Sequence, residues 1–193
     1  MSYFYNKSMF IHHFNRFLGQ ENLTAKLSLD ITQLSPFFKT CEAFVKLVFH
    51  HCDTDLEAND FLYALPNNKS YEDKLPISIY NASNELIAAF DVIKDYPQLD
   101  NWYIGLLLVS PILRSHKVGS SIYSCFEQAA TDFGGKEINL VVQDKNSRAL
   151  KFWEKLGFTT IRESIQELPH CSNLVFHMKK SLSPLEKGHG LAT

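Results

Sequence analysis

The chain has 193 residues, of which 45% are hydrophobic and 21% charged, and its formal net charge is −2 at pH 7. This composition is typical of a globular domain with a sizeable core and excludes a chain that is disordered throughout. Proteins that bind nucleic-acid backbones usually carry a basic excess, so the slight acidic balance argues against that class.

The sequence also argues against a membrane protein. No apolar run approaches the roughly 20 residues needed to cross a bilayer. The N-terminal residues lack the compact apolar core and the small-residue cleavage site of a secretory signal. We therefore expect a cytoplasmic protein without a membrane segment.

The cysteines and histidines give little support for a metal site. The four cysteines are widely scattered and form no CxxC pair, which argues against a zinc cage and a disulfide framework. His50, His51 and Cys52 are consecutive, and consecutive side chains on a helix or strand point in different directions. We therefore expect no metal.

The N-terminal third reads as an aromatic-rich leader followed by a strand and two helices. Residues 1–22 show no clear period, and a helix packed on the domain is the expected structure. Alternation over residues 27–31 predicts a strand. Apolar residues recur at spacings of three and four after Pro36, which predicts a helix there. Residues 53–65 predict a second, short helix.

Three strand-like runs follow, at residues 75–80, 86–93 and 102–109. Residues 81–84 are typical of the turn of a hairpin between the first two runs. Residues 103–109 are apolar on both faces, which is the pattern of a central strand covered by helices on each side.

The C-terminal part alternates helices and strands. A helix is predicted over 118–133, ending at Gly134 and Gly135. A strand at 138–142 and a short helix from Asn146 to Leu156 come next. Two final strands are predicted at 158–168 and 173–179, before a flexible tail at 181–193. The order predicts one α+β domain around a mixed sheet, with a β-α-β-α-β unit from residue 102 onward.

The junction between the central strand and the helix at 118–133 has the properties of an anion site. The first turn of a helix presents unpaired N–H groups and a partial positive charge, which suit a pyrophosphate. Gly119 would let the backbone approach a ligand closely. A glycine after a strand is also common in ordinary turns, so these residues alone leave both interpretations open. Further donors are supplied by Arg114, His116, Lys117 and Ser120.

The segment 146–158 also has an ordinary interpretation. Asn146 can cap the helix that follows it. Ala149, Trp153 and Leu156 are spaced as a stripe of core residues. Taken alone, this segment predicts only a capped and buried helix.

Together, the two segments resemble the GNAT superfamily of acetyl-CoA-dependent N-acetyltransferases. Three features fall in order: the strand 107–109 followed by Ser110-Pro111, a loop similar to the family's Arg/Gln-x-x-Gly-x-Gly/Ala, and an Asn-x-x-Ala…Gly-Phe pattern. That last pattern is met at Asn146, Ala149, Gly157 and Phe158. The resemblance covers residues 27–180 and implies a central mixed, mostly antiparallel, twisted sheet with helices on both faces.

The resemblance implies transfer of an acetyl group from acetyl-CoA to a primary amine of a small molecule or peptide. The backbone of Leu107, Leu108 and Val109 would bind the acyl carbonyl and the pantetheine arm. Asn146 would hold the pantetheine or a nearby backbone group, and Trp153 occupies the position of a frequent family tyrosine. The cofactor-binding loop would consist of Arg114, Ser115, His116, Lys117, Val118, Gly119 and Ser120.

The sequence departs from the family pattern where an acid and a base are expected. Lys117 stands where the loop's first glycine belongs. Trp153 replaces the tyrosine that often acts as general acid, and an indole N–H cannot usefully reprotonate a thiolate. Tyr103 and Asp91 are the candidate substitutes. Each also has a structural interpretation, as a core phenol and as a solvent-facing carboxylate respectively.

We expect direct attack of the amine on the thioester, because a CoA thiolate leaves readily without a strong acid. A non-catalytic acyl-CoA-binding or regulatory module on the same fold is the alternative. The expected organisation is a leader at 1–22, an acyltransferase domain at 23–180 and the tail, in a monomer or homodimer.

Overall fold

The computed structural model describes residues 6–168 and 171–182. The helices are α1 (Lys7–Leu18), α2 (Ile31–Thr40), α3 (Glu42–Phe49), α4 (Thr54–Tyr63), α5 (Val118–Asp132) and α6 (Ser147–Lys155). The strands are β1 (Thr24–Leu27), β2 (Lys74–Tyr80), β3 (Leu86–Lys94), β4 (Asn101–Val109), β5 (Glu137–Gln143), β6 (Thr159–Leu168) and β7 (Cys171–Ser181). Short 3-10 turns lie at Gly19–Glu21 and Pro111–Leu113.

The seven strands of the described residues form one sheet in the order β1-β2-β3-β4-β5-β7-β6. Among these strands, only the central pair, β4 with β5, is parallel, while the other pairs are antiparallel. A parallel pair needs a crossover connection, and α5 supplies it. The predicted mixed, mostly antiparallel sheet and its β-α-β-α-β unit are therefore confirmed.

Helices cover both faces of the sheet, as expected. On one face, α1 and α5 pack with the sheet around Phe10, Trp102 and Phe126, which are at most 1% exposed. On the other face, α2 and α4 pack against Ala89 and Leu108. The N-terminal segment is thus a helix that lies in the main core, because Phe10, Phe14 and Leu18 of α1 are all fully buried.

The sequence prediction was wrong between residues 27 and 36. The strand β1 ends at Leu27, and Leu29 is 85% exposed. The side chain of Asp30 accepts a hydrogen bond from the N–H of Thr32 and so caps α2 at Ile31. As a result α2 contains Pro36 in its interior, where the sequence placed the start of a helix.

The ends of the later elements agree closely with expectation. Helix α5 stops at Asp132, and Gly134 takes a φ of +80°, as predicted for a glycine that ends a helix. Strand β7 continues to Ser181, and residues 183–193 of the expected tail lie outside the described residues. Within the described ranges, no helix is long and apolar enough to span a membrane.

Candidate active site

The two central strands separate halfway along their length. The pairing of β4 with β5 runs from Asn101 opposite Glu137 to Ile104 opposite Leu140, while β4 continues to Val109. The register between β3 and β4 shifts here, so that Gly105 is an extra residue in β4 and forms a bulge. Gly105 is exposed although it lies in the middle of a central strand. A cleft therefore opens between β4 and β5, with the backbone of residues 105–109 along its edge.

The N-terminus of α5 follows this edge in the chain. Lys117 precedes the helix in the left-handed conformation, with a φ of 64°. Ser121 is the first residue of the helix whose N–H donates a backbone hydrogen bond, to the carbonyl of Lys117. Within the described residues, the backbone N–H groups of Val118, Gly119 and Ser120 have no intramolecular acceptor. The start of the 15-residue helix therefore presents free donors and the positive end of its dipole.

Cationic side chains lie in and beside the loop that precedes these free donors. The Nε of Arg114 donates to the carbonyl oxygen of Val109 at 3.3 Å, which ties the loop to the end of β4. Arg148, from the first turn of α6, donates to the hydroxyl of Ser115 at 3.1 Å. Ser115, His116 and Lys117 are exposed. The loop therefore combines unpaired amides with positive charge, which suits a phosphate-bearing ligand.

A buried ion pair lies beside the bulge. The Nζ of Lys74 in β2 is 2.8 Å from Oδ1 of Asp91 in β3, and the two side chains are 1% and 12% exposed. Burial raises the pKa of Asp91 to about 6, although the Lys74 charge and hydrogen bond act in the opposite direction. A β-carbon built on Gly105 would lie 2.5 Å from Oδ2 of Asp91. The carboxylate is thus internal rather than solvent-facing, and it touches the bulge.

Two further polar residues lie on the same face of the sheet as Asp91. Tyr103 pairs with Ile93 of β3. Ile93 lies two residues from Asp91 on the same strand and therefore on the same face, so Tyr103 shares the face of Asp91. Its ring packs edge-on against Tyr96, and burial raises the pKa of its hydroxyl to about 12. Asn139 pairs with Tyr103 at the point where the strands separate, and its buried Nδ2 has no hydrogen-bond partner among the described residues.

The family model described as the acetyltransferase (GNAT) family matches residues 42–158, which is more than half of the chain. The chain belongs to the GNAT acetyltransferase family. The resemblance noted in the sequence is thereby confirmed, and the protein is an enzyme of the acetyltransferase class. Acetyltransferases of this family use acetyl-CoA and act on amines.

Solved structures show the same fold. The ribosomal-protein-S18-alanine N-acetyltransferase from Escherichia coli is 14% identical, with a TM-score of 0.58 over 89% of this chain and 99% of that one. The spermidine N-acetyltransferase from Vibrio cholerae, in complex with CoA and spermine, is 14% identical, with a TM-score of 0.64 over 85% and 98%. An acetyltransferase from Thermus thermophilus is 15% identical, with a TM-score of 0.63 over 83% and 97%. No curated protein matches the chain in sequence.

Two of the residues expected at the cofactor site of this GNAT acetyltransferase have clear structural roles. The Oδ1 of Asn146 accepts a hydrogen bond from the N–H of Ala149 at 3.1 Å and so caps α6. Trp153 is 7% exposed and packs edge-on against Tyr123 and Phe158. These contacts are those of a cap and of a core residue.

The glycine positions of the loop differ in what they require. Lys117 stands at the position of the family's first glycine and has a positive φ, a backbone conformation that glycine adopts more easily than lysine. A β-carbon on Gly119 would meet Phe152 at 3.4 Å and Val109 at 3.6 Å, which are ordinary contacts. Packing within the chain therefore does not require a glycine at position 119.

Sequence reasoning missed Lys74, Asn139 and Arg148. Arg148 lies two residues after the predicted cap Asn146, and its basic charge near a phosphate loop was a usable signal. Asn139 alternates with the apolar residues Ile138 and Leu140, so a polar side chain on the opposite face of β5 could have been noticed. Nothing in the sequence pairs Lys74 with a carboxylate 17 residues away.

The histidines considered as metal ligands have separate partners. The Nε2 of His50 contacts Oδ1 of Asn173 at 2.9 Å, whereas the Nε2 of His51 contacts Glu57 at 3.1 Å. Burial, followed by the charges of Asp60 and Asp53, raises the pKa of Glu57 to about 7. In the part of the chain that the structure describes, no group of three or more His, Cys, Asp or Glu side chains could hold a metal ion.

Proposed function

We propose that this acetyltransferase transfers the acetyl group of acetyl-CoA to a primary amine of a small molecule or peptide by direct attack. One observation carries the proposal: β4 and β5 separate after Ile104, and the cleft edge leads directly to the free amides of α5. A thioester along β4 and a pyrophosphate at the helix would both find donors on one continuous segment.

The residues present fit the proposed cosubstrate. The backbone of Leu107, Leu108 and Val109 lies along the unpaired edge and supplies N–H and C=O groups for the pantetheine arm. The amides of residues 118–120, with Arg114 and Lys117, suit the pyrophosphate because donors and cations meet there. Ser115 and His116 precede these residues in the chain, and Ser120 is the last of them. Asn146 and Trp153 support it by capping and packing α6.

The chain's contribution to the reaction is positioning and electrostatic. Backbone N–H groups at the edge of β4 are fixed before the reaction, so they stabilise negative charge on the acyl oxygen without reorganisation. Holding both reactants in one cleft supplies much of the remaining rate. Asp91 and Tyr103 are the groups beside the bulge that could move a proton.

The proposed acceptor is an amine rather than a nucleic acid or a lipid. The Vibrio cholerae spermidine N-acetyltransferase was solved with spermine, a polyamine, and shares the fold. The net charge of −2 gives no support for phosphate-backbone binding. We extend the proposal to a cytoplasmic monomer or homodimer whose acyltransferase domain, residues 23–180, includes in its core the helix α1 of the N-terminal leader.

Release of the CoA thiol tests this function. Acetyl-CoA should bind with micromolar affinity, about −8 kcal/mol. Thiol release should appear with at least one class in a panel of polyamines, amino acids, aminoglycosides and peptide N-termini. Absence of binding heat and thermal shift at millimolar CoA would contradict the cosubstrate. Binding without thiol release for every class would favour the non-catalytic alternative.

Replacing Lys117 with glycine distinguishes the effect of the lysine's backbone conformation on stability from the effect of its charge on binding. The unfolding free energy of the ligand-free protein should hold or rise, because a side chain at a φ of 64° costs about 1 kcal/mol. Acetyl-CoA affinity should fall several-fold and depend less on salt, since a cation beside the phosphates is lost. Calorimetric titrations at low and high salt measure the affinity and its dependence on salt.

Lys117→Asn is the matched control, because asparagine tolerates a positive φ but carries no charge. It should reproduce the loss of affinity without the gain in stability. Equal or tighter binding by the glycine variant, with an unchanged salt slope, would mean that Lys117 points away from the phosphates.

A further inference from the structure

Lys74 is a fully buried lysine that no motif of the sequence explains. Its side chain is 1% exposed and lies at the first position of β2. A lysine is almost never buried without a partner, because its charge loses its hydration. Of the described residues, only Asp91 forms an ion pair with it, at 2.8 Å.

The two oxygens of Asp91 have different surroundings. Oδ1 accepts the hydrogen bond of Lys74, whereas Oδ2 lies against the bulge, 2.5 Å from where a β-carbon of Gly105 would be. Gly105 is itself exposed at the cleft where β4 leaves β5. One oxygen is therefore anchored inside the sheet, and the other is directed to the side where the acyl group would lie.

We propose that Asp91 is the proton acceptor for the incoming amine and that Lys74 is the positioning residue that fixes its carboxylate and keeps it ionised. This inference rests on the proposed function. Oδ2 takes one proton from the acceptor ammonium, and the freed lone pair forms the C–N bond as the C–S bond breaks. The second N–H proton passes to the leaving sulfur, and Asp91 releases its proton to solvent before the next turnover.

Other titratable groups near Asp91 do not take this role. Tyr103 is on the adjacent strand, and a phenol with a pKa of about 12 stays neutral and is a weaker acid than free tyrosine. Tyr96 packs on Tyr103. Glu57 of α4, the other buried acid among the described residues, is paired with His51. Lys74 therefore supplies the charge that opposes the effect of burial on Asp91.

The pH dependence follows from the protonation state that the reaction needs. Asp91 must be ionised to accept a proton, and burial raises its pKa to about 6. The rate should therefore rise with pH through that value in the wild type. Removing Lys74 takes away the opposing charge, so the pKa of Asp91 should rise further and the ascending limb should move to higher pH.

The test is the pH profile of kcat for Lys74→Met, measured with acetyl-CoA and one amine at saturation. We expect the ascending limb to move up by about 1–3 pH units. At pH 7 kcat should fall by about 2-fold for a shift of one unit and by about 90-fold for a shift of three, and it should recover at alkaline pH. Lys74→Arg should restore much of the wild-type profile. Because the same amine is used throughout, its own ionisation is common to all variants.

Lys136→Met is the matched control, since Lys136 forms an ion pair of the same 2.8 Å length with Asp100 but is 75% exposed. Its profile should equal that of the wild type. A loss of kcat in Lys74→Met that is the same at every pH would overturn the inference and leave Lys74 with a structural role.

If Lys74→Met does not fold, Asp91→Asn tests the proposed role of Asp91 instead. It should remain able to bind acetyl-CoA, lose the ascending limb near pH 6 and lower kcat by about 10²–10⁴-fold. Near-normal turnover by Asp91→Asn would overturn the inference. Failure of the proposed function looks different, because the wild type itself would then release no thiol with any amine.

Discussion

Replacing Gly105 with alanine should lower kcat at pH 7 by at least about 100-fold while the protein remains folded. The added β-carbon would lie 2.5 Å from Oδ2 and 3.3 Å from Cγ of Asp91. Asp91 cannot simply rotate away, because it is buried and its Oδ1 is held by Lys74. Either the carboxylate or the edge of β4 must shift, and a displacement of about 1 Å in a reacting group can cost 10²-fold in rate.

The control for this change is Gly19→Ala. Gly19 follows α1 with a φ of −60°, and a β-carbon there would meet no atom within 4 Å. Steady-state thiol release and thermal unfolding should both match the wild type. If Gly105→Ala kept the wild-type kcat and pH profile, the carboxylate of Asp91 would not be part of the reaction site.

Replacing Phe10 with alanine should lower the unfolding free energy by about 3–5 kcal/mol. Phe10 is fully buried, and its ring centroid lies 4.8 Å from that of Trp102 and 5.3 Å from that of Phe133. Truncation removes these contacts and leaves a cavity between α1, β4 and α5, which a close-packed core cannot readily refill. Urea denaturation measures the change.

Met9→Ala on the same helix is the matched control, because Met9 is 51% exposed. Its effect should stay within about 0.5 kcal/mol. A cost below about 1 kcal/mol for Phe10→Ala would mean that α1 is peripheral to the domain. That outcome would support treating residues 1–22 as a separable leader.

Local chemistry made several features predictable. Helix α5 was expected because its apolar residues recur with the helical period of 3.6 residues. Strand β4 was expected because its run of apolar residues is typical of a strand buried on both faces. The left-handed backbone at Lys117 was foreseeable from the family pattern, since a glycine position commonly marks a positive φ. The start of α2 was missed because alternation over 27–31 outweighed the capping signal of Asp30.

Most of the helices and strands and the resemblance to the family could be read from the sequence, because each depends on residues close together in the chain. Which side chains meet beside Gly105 depends on how the strands pair in the folded chain. Asp91 and Lys74 become partners through the register of β2 with β3, and Asn139 reaches Tyr103 through the parallel pairing of β4 with β5. The alternation of side chains along a strand predicts which face of the sheet a residue occupies, but it does not predict which strand lies beside it. The buried ion pair and the bulge therefore had to be seen in the folded chain.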